Sequence, residues 1–472
     1  MSANDTGPTL TDPVGMGGVI AQDGFDYQIW EGLIRLPGWL KNPAFEAVIF
    51  EGLEDIESRF FAPHAPAQRM LERLQAKSGT LASRDIKEVF ERFLDFENQY
   101  PQVTRVHTLV TQQLPSTLQW ISRDAARVRR ARPFYFPFAP VRGASDAKLT
   151  ADFVAEYGPR LGQFVADAVE VEQSPLPARR FALNAFITAL GDAFPSVEID
   201  PRRAGAAFGS LEQLVHRSRG VPLTQQELLH LVETELNATL VPRRAFPLHI
   251  RSDRNGTNES ALEVDASAFS GSSAGFPEPS RWQTELVMPL DATARWVKQR
   301  GVSRILLSGS YRLTTAFLLG RAFRAVHGFD LDIVTREGPT WATDDRAKEE
   351  DERWDIAVPR AHDRDDLLVS VGVLRRPSDD LASAGFHQGS LLTAFTDRPI
   401  ASAKAMQAGV TRLKAALSEL AARLRPRRIR LYYAGPAAFA VALGHRWNAL
   451  PRTELYEFDS VSGSYVATAS VD

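Results

Sequence analysis

The residues with the clearest chemical potential are Asp55 and the tripeptide Gln75-Ala76-Lys77, with nineteen residues between the aspartate and the glutamine. Hydrolysis of a phosphodiester needs a divalent cation to neutralise the phosphate and to acidify the attacking water. Mg²⁺ takes hard oxygen ligands, commonly one or two carboxylates completed by water and substrate oxygens. Asp55 offers a carboxylate and Gln75 an amide oxygen. Lys77 offers a cation that can orient the water or stabilise charge developing on the phosphate. On a strand Gln75 and Lys77 face one side and Ala76 the other, so all three groups converge if Asp55 points to that side from a neighbouring strand. Read alone, Gln-Ala-Lys also fits an exposed strand edge. Two further residues each keep two readings. Glu51 either assists a metal from the strand before Asp55 or ends that strand at its turn. Gln28 either faces the site from a leading helix or packs against the sheet.

The surrounding pattern contains the elements needed to hold these groups. Phe45–Glu51 and Asp55–Phe61 read as strands joined by a turn at Gly52, and Leu74–Gly79 as a third. A helix opened by Ser83 follows, with Ile86, Val89, Phe90 and Phe93 on one face, and then a strand over Val103–Thr111. The helix GVIAQDGFDYQIWEGLIRL, with Gln22, Tyr27 and Gln28, precedes them all. The order of elements, with Asp55 and Gln75-x-Lys77, resembles the PD-(D/E)xK nuclease superfamily and the N-terminal nuclease domains of certain antiphage effectors. Glu54 stands where the superfamily name has proline, and Gln75 replaces the second acid, as in several branches. The resemblance implies Asp55 and Gln75 as ligands of Mg²⁺ or Mn²⁺, Lys77 as the third catalytic group, and double-stranded DNA as substrate. Arg123, Arg127, Arg129, Arg130 and Arg132 form the most basic stretch nearby, either a DNA-phosphate contact or a solvated helix face.

Farther along, two strand–turn–helix–strand units follow one another. In the first, Arg304–Leu307 leads through Ser308-Gly309-Ser310 into a helix over Leu313–Ala325 and a strand over Phe329–Thr335. In the second, Ile429–Ala434 leads through Gly435-Pro436 into Ala437–Trp447 and Thr453–Phe458. Each helix contains Leu-Gly, eleven positions after the turn glycine in one unit and nine in the other. Strands joined by crossover helices imply a largely parallel sheet of Rossmann type. A small-residue turn feeding a helix N-terminus either cradles an anion or is a tight turn only. Residues 261–282, the LLSGSYRLTTAFLLGRAF unit and the closing LYYAGPAAFAVALGHRW…ELYEFDSVSGSYVAT resemble a SAVED domain, a fused pair of CARF-like Rossmann halves that binds cyclic oligonucleotides. That resemblance implies Ser308, Gly309, Ser310, Gly435 and Pro436 as phosphate-facing residues. Tyr311, Arg312 and Lys404 are candidates for base stacking or charge contacts, although Lys404 also reads as an ordinary solvated lysine. Together the two halves resemble nuclease–SAVED effectors of CBASS antiphage defence. This implies activation by a cyclic di- or trinucleotide and self-association on binding it.

Composition narrows the alternatives. The chain has 472 residues, a net charge of −3 and no cysteine, which excludes disulfides, thiolate zinc sites and cysteine nucleophiles. The nine histidines form no metal-binding pair, and there is no HExxH and no phosphate loop ending in Gly-Lys-Ser/Thr. The single GxSxG match, Gly271–Gly275, runs into Phe276-Pro277-Glu278-Pro279 and reads as a loop, not a nucleophile elbow. No apolar run approaches the roughly 20 residues that span a bilayer, and a secretion signal is absent from the opening residues, so a cytoplasmic protein without a membrane partner is expected. The expected fold class is α/β: a restriction-endonuclease-like core over 1–145, a helical extension over 146–240, and the sensor over 241–472. Within the extension, Thr224 and Glu227 form a capping box with Leu223 and Leu228 as staple, and Phe181, Leu183, Phe186, Ile187 and Leu190 an amphipathic stripe. A ligand-activated Mg²⁺-dependent DNA endonuclease heads the functional readings. A catalytically silent nucleotide-sensing scaffold comes second and a nucleotide-sugar transferase last.

Overall fold

The structure, a computed structural model, describes residues 13–64, 70–131, 139–176, 178–241, 245–252, 260–271, 275–336, 338–344, 354–359, 365–383 and 391–472. Arg132, the middle three residues of the Gly271–Gly275 match and the Gln22 side chain fall outside the described set. The chain divides into two compact units, Met1–Ala62 with Pro66–Val241, and Pro63–Ala65 with Pro242–Asp472.

The first unit runs α1 (Pro13–Lys41), β1 (Phe45–Phe50), β2 (Ile56–Phe60), β3 (Leu71–Thr80), α2 (Ser83–Gln99), β4 (Thr104–Gln113), α3 (Ala126–Ala131), α4 (Ala139–Tyr157), α5 (Pro159–Ala168), β5 (Val169–Gln173), α6 (Arg179–Ala193), α7 (Pro201–Arg217), β6 (Leu223–Thr224) and α8 (Gln225–Leu236). Its sheet has the order β5-β4-β3-β2-β1-β6. β1, β2 and β3 are antiparallel neighbours, whereas β3, β4 and β5 run parallel. Alternation along β3 decides what each face carries. Leu74 and Ala76 join Val48, Phe50, Ile56 and Val110 in a core shared with α1. Arg73 and Gln75 face the other way, toward α2, whose Ile86, Val89, Phe90 and Phe93 pack with Leu109 and Val171. Each such apolar side chain contributes about 1.5–3 kcal/mol on burial.

The stretch read as a helical extension does contain α4 to α8, but it also supplies both edge strands of this sheet. β5 pairs with β4, and β6 pairs with β1 at Ala47 and Val48. Short edge strands carry too little periodic signal to register in a helical context. The local punctuation near α8 is as expected: the Thr224 hydroxyl accepts the Glu227 N–H and Glu227 returns to the Thr224 N–H. In the α6 stripe Phe186 and Leu190 are buried, but Phe181 is 42% exposed and lies outside the core.

The second unit runs β7 (Phe246–Arg251), β8 (Leu262–Asp265), α9 (Pro279–Trp282), α10 (Met288–Gln299), β9 (Arg304–Gly309), α11 (Leu313–Ala322), β10 (Asp330–Val334), β11 (Thr340–Ala342), β12 (Asp355–Ala357), β13 (Asp366–Val373), α12 (Pro377–Ser383), β14 (Leu391–Thr396), α13 (Ala403–Leu424), β15 (Arg428–Ala434), α14 (Ala437–His445), β16 (Arg452–Asp459) and β17 (Ser464–Val471). Its described residues form two sheets, β11-β10-β9-β7-β8 and β12-β14-β13-β15-β16-β17. Read from β11 and from β17, they share one strand order, with parallel centres and an antiparallel hairpin at the β11 and β17 edges. These are the two expected Rossmann-like halves.

The repeat is closer than the glycine spacing implies. Arg304 and Arg428 open the central strands, and Leu313 and Ala437 open the following helices, a constant offset of 124 residues. On that offset Gly435 matches Tyr311, not Gly309, so the two turn glycines are not equivalent. The Leu-Gly glycines are. α11 and α14 cross on them: a Cβ added to Gly320 would lie 1.9 Å from the Val441 carbonyl oxygen, and one on Gly444 would lie 2.1 Å from that of Phe317. Phe317 and Val441 are again 124 residues apart. The crossing is a local two-fold that only glycine permits, because the obstructing atoms are backbone.

Candidate functional site

On the α2 face of the first sheet, Asp55, Gln75 and Lys77 come together. Ile56 pairs with Leu74 across the antiparallel β2–β3 ladder, so the next step outward sets Asp55 beside Gln75. Asp55 Oδ2 accepts the Ala76 backbone N–H at 2.8 Å and a hydrogen bond from Gln75 Nε2. Gln75 Oε1 accepts from Arg92 Nη2 at 2.6 Å. The chemistry of the partners fixes the amide orientation, since a carboxylate only accepts and a guanidinium only donates. Gln75 is 2% exposed, while Lys77 is half-buried.

Burial pushes the Asp55 carboxyl up to about 6. The Ala76 N–H and the Lys77 charge pull against it, Glu54 adds to it, and Arg92 opposes. Glu54 is also raised, by burial first, against the pull of Arg73 and Arg92. Its carboxylate lies 3.6 Å from Arg73 and 3.8 Å from Arg92. Arg73 is buried, pairs with Glu57 at 3.1 Å and lies 3.4 Å over the Phe96 ring. The position noted only as a departure from proline is therefore part of a charged lattice that fixes the floor of the site. Glu54, Arg73 and Arg92 were not singled out from the sequence. Arg92 belongs to a helix that was recognised, but Arg73 precedes the strand expected from Leu74, which begins at Leu71, and Glu54 lies in the turn before Asp55; pairing across elements leaves no local periodicity.

The secondary candidates are placed elsewhere. Glu51 ends β1 with a left-handed backbone, φ 57°, and its carboxylate faces Arg219 at 3.8 Å. Gln28 lies half-buried on α1, the helix whose apolar residues share a core with the opposite face of the sheet. Gly24, one turn earlier on that helix, is directed at Ser78. In the basic stretch, Arg123 pairs with Asp124 at 2.8 Å, and Arg129 donates to the carbonyls of Val165 and Ala166 at the end of α5.

In the second unit the two turns differ. Gly309 has φ +109°, and a Cβ there would sit 2.2 Å from the Ile250 carbonyl oxygen, so glycine is required. Ser308 Oγ is bonded to His249 Nδ1 at 3.0 Å, and Ser310 is exposed. Tyr311 is partly covered, and burial raises its hydroxyl. Arg312 is the N-cap of α11, and its side chain donates to the Ser270 carbonyl. The Thr314 N–H in the first turn of α11 is taken by Glu457 Oε2 at 2.7 Å. Glu457 is 5% exposed, and burial raises its carboxyl against the pull of Thr314 and Arg312. The helix end read as an open anion cradle thus already faces a carboxylate from the other half.

Around α14 the arrangement is different. Pro436 is the N-cap rather than the first helical residue, and its carbonyl accepts the Tyr433 hydroxyl at 2.8 Å. The position matching Glu457 by strand register is Thr335, whose hydroxyl donates to the Pro339 carbonyl at 2.8 Å. Lys404 is exposed on the first turn of α13.

Comparison with known proteins agrees with this architecture. Residues 290–471 match the SAVED family, described as the SMODS-associated and fused to various effectors sensor domain. The matched residues lie wholly within the second unit. Over 98% of its length the chain is 25% identical to CD-NTase-associated protein 4 of Moraxella osloensis, covering 99% of that protein. A protein of the same name from an Acinetobacter strain is 24% identical over 98% of this chain and 99% of the relative. Among solved structures, the Acinetobacter baumannii Cap4 SAVED/CARF-domain containing receptor with the cyclic trinucleotide 2'3'3'-cAAA superposes with a TM-score of 0.77 at 21% identity, covering 95% of this chain and 98% of that one. The Moraxella osloensis Cap4 receptor gives 0.74 at 22% identity, covering 96% and 100%. Among the described residues, no helix is long and apolar enough to cross a membrane.

Proposed function

We propose that this chain is a CBASS-type antiphage effector: its SAVED domain binds a cyclic oligonucleotide, and its first unit is a PD-(D/E)xK-type nuclease that hydrolyses double-stranded DNA. The observation that carries the nuclease reading is the meeting of Asp55, Gln75 and Lys77 on one sheet face behind a β1–β2–β3–α2–β4 order. The sensing half rests on the SAVED match and on the likeness to receptors solved with cyclic trinucleotides.

The residues present fit a hard divalent cation with few protein ligands. Asp55 Oδ1 accepts no hydrogen bond among the described residues and so has lone pairs to offer a cation, on a carboxyl that burial pushes up to about 6. Asp55 and Gln75 would hold Mg²⁺ or Mn²⁺. When bound, the ion supplies phosphate neutralisation and a more acidic water. The chain's own contribution is then positional. The Ala76 N–H fixes the Asp55 carboxylate, and the Lys77 ammonium orients the water and balances charge on the scissile phosphate. Arg127 and Arg130 remain candidates for phosphates flanking that site.

The test is incubation of plasmid DNA with the protein, Mg²⁺ and a panel of cyclic di- and trinucleotides. Cleavage with one ligand, abolished by EDTA and restored by Mg²⁺ or Mn²⁺, is expected. Lys77→Ala should lower the rate by ~10²–10³ or more while leaving ligand affinity intact. Cutting that persists in that variant, or without divalent metal, rejects the site.

A silent scaffold is the second reading. It is favoured by the lack, among the described residues, of any cluster of three acidic or histidine side chains able to hold a metal. No cleavage with any ligand that binds would select it. Activation is proposed to run through assembly. The two halves of the SAVED domain are inequivalent, so a ligand held between them can complete a head-to-tail surface. Light scattering should show a monomer without ligand and larger species with it, and a monomeric yet active complex would overturn this.

A further inference from the structure

The nuclease reading treats Gln75 as a metal ligand, yet both ends of its amide are already engaged. Nε2 donates to Asp55, and Oε1 accepts from Arg92 Nη2 at 2.6 Å. At 2% exposure the amide has no water to turn to, so a cation can reach Oε1 only if Arg92 leaves. Arg92 itself is free to do so. Its side chain is 54% exposed, and its other contact is a long 3.8 Å pair with Glu54. Glu54 keeps a second cation, Arg73 at 3.6 Å, so the departure of Arg92 does not leave that carboxylate unpaired. The helix beneath is fixed through buried Val89 and Phe93, which confines the movement to the arginine side chain. An exposed guanidinium with unused donors matches a phosphate in planar, bidentate fashion.

Resting on the nuclease assignment, we propose that Arg92 is a positioning residue that acts as a phosphate-operated latch: it occupies the Gln75 amide oxygen while no nucleic acid is bound, and a DNA phosphate releases that oxygen for the metal by drawing the guanidinium away. Metal and DNA affinities are then coupled, and the coupling is reciprocal. Each raises the affinity for the other by on the order of tenfold, within the range usual for such coupling.

The experiment is a titration of the full chain with Mn²⁺ alone, followed by the same titration with a short blunt DNA duplex present. Without DNA, Arg92→Ala and Arg92→Gln should both bind Mn²⁺ about tenfold tighter than the parent; because removing a neighbouring positive charge also favours a cation, the deciding reading is the coupling to DNA. With duplex present, the parent should tighten by about the same factor and the variants by much less. Unchanged or weaker Mn²⁺ binding in both variants overturns the latch. Asp55→Ala separates the two levels of the argument. If it abolishes Mn²⁺ binding while the Arg92 variants behave as the parent, only the latch fails. If Asp55→Ala binds Mn²⁺ as well as the parent, the metal site itself is wrong.

Discussion

The two halves of the second unit share strand order, helix register and a glycine crossing, yet one has its central helix stoppered and the other does not. Glu457 reaches from β16 to the Thr314 N–H of α11, while the corresponding Thr335 turns back to its own loop and leaves α14 alone. The glycine crossing and the ion pair of the central strand, Arg304 with Asp332 and Arg428 with Glu454, are repeated, whereas the polar groups at the helix ends are not. The repeated residues build the scaffold, where both copies face the same steric demand. The unrepeated ones are where the copies can differ toward a ligand, and a buried carboxylate at one helix end makes that end a poor host for phosphate.

The comparison can be broken most severely at the crossing. Gly320→Ala and Gly444→Ala should each destabilise the second unit by about 3 kcal/mol or more, because each Cβ meets a carbonyl of the partner helix that cannot yield. Urea denaturation of the two variants should give similar losses, and a marked disparity would deny the local two-fold. Acid comes next. Burial holds the His445 imidazole down at about 4, while its Nδ1 donates to the Phe323 carbonyl, and the matching residue is Arg321, paired with Asp291. A depressed folded value means that the unfolded chain takes the proton more readily. The contribution is complete above 6.5 and fades as pH falls from 6.5 toward 4, by up to about 3 kcal/mol. His445→Gln should flatten that branch of a stability–pH profile.

The smallest effect is expected at the stopper. Glu457→Gln keeps an acceptor for Thr314 but removes a buried charge, so the two changes offset to within about 1 kcal/mol at pH 7. Because burial raises this carboxyl, its stabilising contribution is largest at low pH and diminishes as pH rises from the ordinary glutamate range through the raised value. The variant should lose that slope. Thr335→Val, at the matching place, should alter neither the slope nor α14, and an equal response in both would erase the distinction between the halves.

What was legible in the sequence follows the range of the interactions involved. The β1–β2–β3–α2–β4 order, the Thr224–Glu227 capping box and both strand–turn–helix units are set by residues near one another in the chain, so periodicity and punctuation found them. Asp55, Gln75 and Lys77 were found because spacing and strand alternation together predict a shared face. Arg73 and Arg92 were missed because a guanidinium's partner across a sheet or from a helix has no fixed sequence distance. The same reason hid Glu457, whose partner is 143 residues away. The glycine spacing misled because Gly309 and Gly435 answer different neighbours, Ile250 in one case and Tyr433 in the other.

The edge strands of the first sheet bear on the order in which the protein is made. β3, with Gln75 and Lys77, leaves the ribosome early, but β5 and β6 seal the sheet only when residue 224 has been synthesised. At roughly 5–20 residues per second the open edges persist on the order of ten seconds. A chain cut at residue 145 would keep them permanently, exposed to pairing with other chains. The same order means that the first unit can close while the second is still untranslated. On the proposed reading, no second messenger and no SAVED domain can restrain the nuclease during that interval. If activity needs ligand-driven assembly, as proposed, a nascent chain is idle for want of assembled partners.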